Sequence, residues 1–90
     1  MRKILTTELF EKALKKLHSN QKADLDKAIT VIAKTPEIGE RKVGDLDGVF
    51  VYKFKMNNQL VLLAYTIEQS SIMLLAFGPH ENFYRDIKKH

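Results

Sequence analysis

Cysteine is absent from the 90 residues, so neither a disulfide framework nor a thiolate metal site can exist. The same absence fits a reducing compartment. No apolar run approaches the length of a bilayer span, and no long apolar segment opens the chain. The expectation is a cytoplasmic protein with no membrane partner. Three scattered histidines, His18, His80 and His90, show no ligand spacing, so no metal and no cofactor is expected. Repeats, linkers and low-complexity segments are missing too. What is present is 44% hydrophobic and 29% charged residues, the balance of a folded globular chain. Its length suits one domain, residues 1–90, with a single core. A formal charge of +4 favours an acidic or nucleic-acid partner.

In chain order, residues 2–6 read as a short strand. Thr7 follows as a helix cap, and Glu8 suits the positive end of the helix dipole. Phe10, Ala13, Leu14 and Leu17 then recur at helical spacing. His18-Ser19-Asn20 breaks that pattern, and Ser19 or Asn20 can cap a second helix whose buried face is Leu25, Ala28, Ile29 and Ile32. Thr35-Pro36 ends it, because proline disfavours the helical conformation in the residue before it. So short a break between two helices makes an antiparallel hairpin.

From Arg41 the period changes to alternation. Residues 41–46 are a short strand candidate, closed by the Asp47-Gly48 turn pair. Over residues 49–56, Phe50, Tyr52, Phe54 and Met56 share one side, and Val49, Val51, Lys53 and Lys55 the other. The aromatic side must pack on the hairpin, which leaves Lys53 and Lys55 together on the opposite face. After the Asn57-Asn58 turn, residues 59–68 and 72–77 are apolar on both sides, as inner strands are. Gly78-Pro79 stops the last strand, and the tail leaves near a sheet edge. If that tail is helical, His80, Tyr84 and Lys88 form one stripe, with Phe83 and Ile87 on the neighbouring one. The fold class is α+β: an N-terminal strand, a helical hairpin, a four-stranded antiparallel meander and a C-terminal helix.

The order of these elements, with Gly44-Asp45-Leu46-Asp47-Gly48, Tyr52-Lys53-Phe54-Lys55 and His80-Glu81-Asn82-Phe83-Tyr84-Arg85-Asp86, resembles the RelE/ParE superfamily of bacterial toxins. The resemblance covers nearly the whole chain and implies a microbial RNase-type fold. It also implies a toxin of a type II toxin–antitoxin pair, held inactive by a cognate antitoxin. RelE-like members cut messenger RNA on the ribosome without a metal; ParE-like members poison DNA gyrase. Lys53 and Lys55 match two strand lysines of the nucleases, and His80 with Tyr84 matches a C-terminal histidine and aromatic. Many nucleases also carry an arginine on the following strand, just before a tyrosine resembling Tyr65. Here Leu62-Leu63-Ala64 precedes Tyr65, and that strand has no arginine.

Metal-free RNA cleavage needs the ribose 2′-hydroxyl to attack the neighbouring phosphate. On the nuclease reading His80 is the proton carrier, since an imidazole titrates near ~6.5. Lys53 and Lys55 supply positive charge to the phosphate, or one of them acts as the base. Tyr84 stacks on a base or orients the phosphate. Arg41, Lys42, Arg85 and Lys88 add backbone contacts without sequence preference. On the gyrase reading none of these residues does chemistry. A degenerate member would retain antitoxin binding alone.

Overall fold

Thr7 shows how the first helix is fixed to the sheet. Its hydroxyl accepts from the Phe10 N–H at 3.1 Å, capping α1 (Glu8–Lys15), and donates to the Leu75 carbonyl oxygen at 2.6 Å. The computed structural model that shows this describes residues 2–79. The second helix, α2 (Ser19–Lys34), has His18 at its N-cap, one residue before the expected Ser19 or Asn20. The Gln21 side chain accepts from the His18 N–H at 2.8 Å, while Asn20 reaches across to the Asn57 side chain at 2.8 Å. Asn20 is therefore a tie between helix and hairpin turn rather than the cap.

Five strands form one mixed sheet: β1 (Lys3–Thr6), β2 (Glu40–Arg41), β3 (Val49–Met56), β4 (Gln59–Ile67) and β5 (Ser71–Gly78). Their order is β1-β5-β4-β3-β2. The four later strands make the expected antiparallel meander, and β1 adds to it in parallel beside β5. The tail expected near a sheet edge follows a strand flanked on both sides. β1 pairs only with residues Ser71 to Leu74, so the second half of β5 has β4 alone beside it among the described residues. The C-terminal helix expected beyond Pro79 lies outside the described residues.

The strand expected over residues 41–46 is corrected. Only Glu40 and Arg41 pair with β3; Gly44–Leu46 is a 3₁₀ turn entered through Gly44 at φ 75°, a left-handed conformation no strand can hold. The Asn57-Asn58 turn is as read, with both residues at positive φ, 54° and 68°. That pair of values is what a two-residue hairpin turn of the favoured twist requires.

The main core lies between helices and sheet. Phe10, Leu25, Ala28 and Ile32 meet Met56, Leu63, Tyr65, Ile72 and Leu74, with Phe50, Tyr52 and Phe54 packed against them. The aromatic side of β3 is thus the helix side. A fully buried Leu or Phe contributes roughly 1.5–3 kcal/mol, so this interface dominates the stability. Opposite it sits a smaller cluster of Val51, Leu62, Ala64 and Ala76. Both clusters stay in register because β5 carries a bulge. Ala64 pairs with Ala76 but Tyr65 with Leu74, leaving Leu75 as the extra residue. Ile72 and Leu74 then face the helices, Ala76 faces away, and Phe77 returns to meet Phe10 edge-on at 5.1 Å.

Candidate functional site

Lys53 and Lys55 owe their position to β3. The strand alternates, its aromatic residues are drawn into the helix interface, and the two lysines are left on the other face, both exposed. Two residues of strand separate their Cα atoms by about 6.6 Å, close enough for both ammonium groups to reach one phosphate. Across the ladder Lys53 faces Leu62 and Lys55 faces Leu60. The hairpin turn makes Met56 and Gln59 a hydrogen-bonded pair, so by alternation these two are non-hydrogen-bonded pairs, the closer kind. The lysines therefore stand opposite an aliphatic row of β4.

The stretch without an arginine, Leu62-Leu63-Ala64, is divided between the two faces, with Leu62 and Ala64 on this one and Leu63 on the helix side. Leu62 is 0% exposed and belongs to the cluster with Val51, Ala64 and Ala76; Leu60, one step outward, is 48% exposed. The position beside Lys53 is occupied by packed hydrocarbon. The face as a whole is a cationic row on β3 beside an apolar row on β4.

The other expected contacts divide. Lys42 follows the register onto the lysine face: its N–H donates to the Val49 carbonyl at 2.8 Å, and its ammonium lies 3.3 Å from the Glu40 carboxylate. Arg41 pairs with Phe50, whose ring is on the helix side. Paired residues of an antiparallel ladder point the same way, so Arg41 belongs to the opposite side of the sheet from Lys53 and Lys55. Those three residues are not brought together. His80, Tyr84, Arg85 and Lys88 lie outside the described residues.

Sequence reading named Tyr65 only as a landmark and missed that it ties the segment before β2 to the sheet. Tyr65, fully buried, donates from its hydroxyl to the Pro36 carbonyl oxygen at 2.6 Å and accepts from the Gly39 N–H at 2.9 Å. Its ring stacks on Phe50 at 5.6 Å. Burial raises the phenol's pKa above its ordinary value; the Gly39 hydrogen bond opposes that rise, and Glu37 and Tyr52 add to it. A Cβ at Gly39 would lie 2.5 Å from the Tyr65 oxygen, so glycine is required by that close approach. The signal available was an apolar strand with one tyrosine inside it, which needs a polar partner.

Among the described residues no helix is long and apolar enough to cross a membrane. The family model for ParE-like toxins of type II bacterial toxin–antitoxin systems matches residues 4–88. No curated protein matches the sequence. Among solved structures, the E. coli RelBE toxin–antitoxin complex aligns at TM-score 0.72 and 19% identity, covering 90% of this chain and 99% of that one. A mutant of the E. coli toxin RelE in the free state aligns at 0.75 and 17%, covering 98% and 90%. A conserved hypothetical protein of Helicobacter pylori aligns at 0.55 and 20%, covering 89% and 96%. At these identities the likeness is one of fold.

Proposed function

Because the chain belongs to the ParE-like toxins of type II bacterial toxin–antitoxin systems, we propose that it acts on messenger RNA bound to the ribosome and is restrained by a cognate antitoxin. The observation that carries this reading is the pair Lys53 and Lys55, exposed side by side on the sheet face away from the helices. Two fixed cations on a rigid strand suit a phosphodiester whose charge grows as the 2′-hydroxyl attacks. His80 carries the proton, and Tyr84 stacks on or orients the target. Lys42, Arg85 and Lys88 hold the backbone; Arg41, on the other side of the sheet, takes no part in that contact. The reaction is cyclising cleavage: the 2′-oxygen bonds to phosphorus, the 5′-oxygen leaves, and one proton passes from the first to the second.

A second reading has its own support. Leu62, beside Lys53, is buried hydrocarbon rather than a further cation, and an apolar row beside a cationic one fits a protein partner such as DNA gyrase.

Brief expression in bacteria, with new RNA 5′ ends and plasmid supercoiling followed together, separates the two. Codon-phased breaks within translated messages are the expected result. Gyrase-linked DNA breaks without message cleavage overturn the nuclease reading in favour of the second. For His80 the deciding comparison is single-turnover cleavage on programmed ribosomes. His80→Gln is expected to lose about 10²–10⁴-fold, the size of a general acid–base contribution; equal rates remove His80 from the reaction.

A further inference from the structure

The open edge of β3 at Lys53 and Lys55 is, we infer, a strand-addition site for an extended segment alternating acidic and apolar residues. The inference rests on the toxin reading above, the segment belonging to the antitoxin. It begins with hydrogen bonds. Lys42 N–H donates to the Val49 carbonyl, and Glu40 pairs with Val51. Residues 49 and 51 therefore turn their backbone polar groups toward β2, and by alternation so do Lys53 and Lys55. β2 is only two residues long. Among the described residues nothing bonds the main-chain N–H and C=O groups of Lys53 and Lys55 on that side.

The described residues that precede β2 do not close this edge. Continuing the β2 register places Ile38 opposite Lys53 and Pro36 opposite Lys55. Those residues are instead wound into the Pro36–Ile38 3₁₀ turn, held by the Tyr65 hydroxyl to Pro36 and Gly39. Proline also has no N–H to give a ladder. The turn leaves Ile38, 46% exposed, just before β2.

The side chains bordering the edge specify the occupant. On one face Lys53 and Lys55 stand two residues apart and attract acidic side chains at alternate positions of an added strand. On the other face Tyr52 and Phe54 stack at 6.2 Å and are only half-buried, which suits apolar residues at the intervening positions. Acidic–apolar alternation follows from those two faces. A second copy of this chain is disfavoured. Antiparallel self-pairing centred on Phe54 puts Lys53 of one copy against Lys55 of the other, the like-charge arrangement that protects edges.

The probe is a blocked heptapeptide alternating Glu and Val, titrated into the ¹⁵N-labelled full chain. The Lys53 and Lys55 amides are expected to gain protection from solvent exchange, while those of Tyr52 and Phe54, already bonded into β4, stay as they were. A peptide of the same composition in Val and Glu blocks is expected to bind at least about tenfold more weakly, having no face to match either side. Lys53→Pro removes one outward N–H without touching the β3–β4 ladder, and is expected to abolish the protection at Lys55. If that variant does not fold, Lys53→Glu with Lys55→Glu takes its place, and preference is expected to switch to an alternating Lys/Val peptide. Unchanged exchange at Lys53 and Lys55, equal binding of the block peptide, or no switch of preference overturns the inference. An antitoxin that neutralises growth inhibition while leaving both amides freely exchanging also overturns it, with the toxin reading intact. A chain that neither inhibits growth nor binds an antitoxin removes that reading instead, whatever the peptide does.

Discussion

Tyr65 and Pro36 are 29 residues apart in sequence, and the hydroxyl of the first donates to the carbonyl oxygen of the second at 2.6 Å. With the Gly39 N–H also on that oxygen, one phenol closes the segment between α2 and β2 onto the sheet. Tyr65→Phe keeps the stack on Phe50 and leaves a donor and an acceptor unanswered. The expected loss is about 1–3 kcal/mol of unfolding free energy, read by denaturant titration. Gly39→Ala is expected to cost a similar ~1–3 kcal/mol, because its methyl meets the Tyr65 oxygen at 2.5 Å while its φ of −72° suits any residue. Combining the two removes the clashing oxygen, so the double variant is expected to lose less than the sum. Strict additivity would place the cost of Gly39→Ala elsewhere.

Alkaline pH tests the same phenol. Tyr65 has its pKa raised by burial above the ordinary 10.0, so the folded state holds its proton more tightly than the unfolded chain does. The stabilisation is complete below about pH 10 and is lost as pH rises through the folded-state value. Other tyrosines and lysines titrate nearby, so the measurement is the difference between wild type and Tyr65→Phe. That difference is expected to be constant from pH 7 to about 9.5 and to shrink above it. A gap that stays constant to higher pH would show the hydroxyl to be open to water.

Lys53→Ala with Lys55→Ala separates a functional surface from a solubility feature. Both side chains are exposed, and such substitutions usually shift stability by within ~0.5 kcal/mol. The thermal midpoint is expected to hold while growth inhibition disappears. Undiminished toxicity in the folded double variant would end the claim for the lysine face.

Leu62→Arg asks whether the sealed position beside Lys53 can take a cation. The site is fully buried among Val51, Ala64 and Ala76, so a guanidinium placed there loses water without gaining a partner. The expected result is a destabilisation of several kcal/mol, on the order of the largest single-residue effects, seen as a lowered melting temperature. Leu60→Arg, at the exposed neighbour, is expected to be nearly neutral for stability. A well-folded Leu62→Arg chain would mean that the small cluster yields to solvent.

What the sequence determined by itself is local and periodic. Period two in β3 sent Phe50, Tyr52, Phe54 and Met56 to the helices and exposed Lys53 and Lys55. Helical spacing chose Phe10, Leu25, Ala28 and Ile32 for the core, and Asn57-Asn58 marked a hairpin. These are decided by how each residue's neighbours in the chain can be placed, so they are readable without knowing what packs against them. Tertiary structure decided the rest: the parallel pairing of β1 with β5, the bulge at Leu75, and the shortening of β2 to two residues. It also decided that Arg41 belongs to the other side of the sheet and that Leu62 is sealed. Periodicity says which face a residue takes but not which strand lies beside it, and a bulge shifts every later face by one. The edge at Lys53 that the described residues leave unpaired exists for the same reason. It depends on a turn held by Tyr65, 29 residues beyond Pro36, and only the folded chain brings those two within a hydrogen bond.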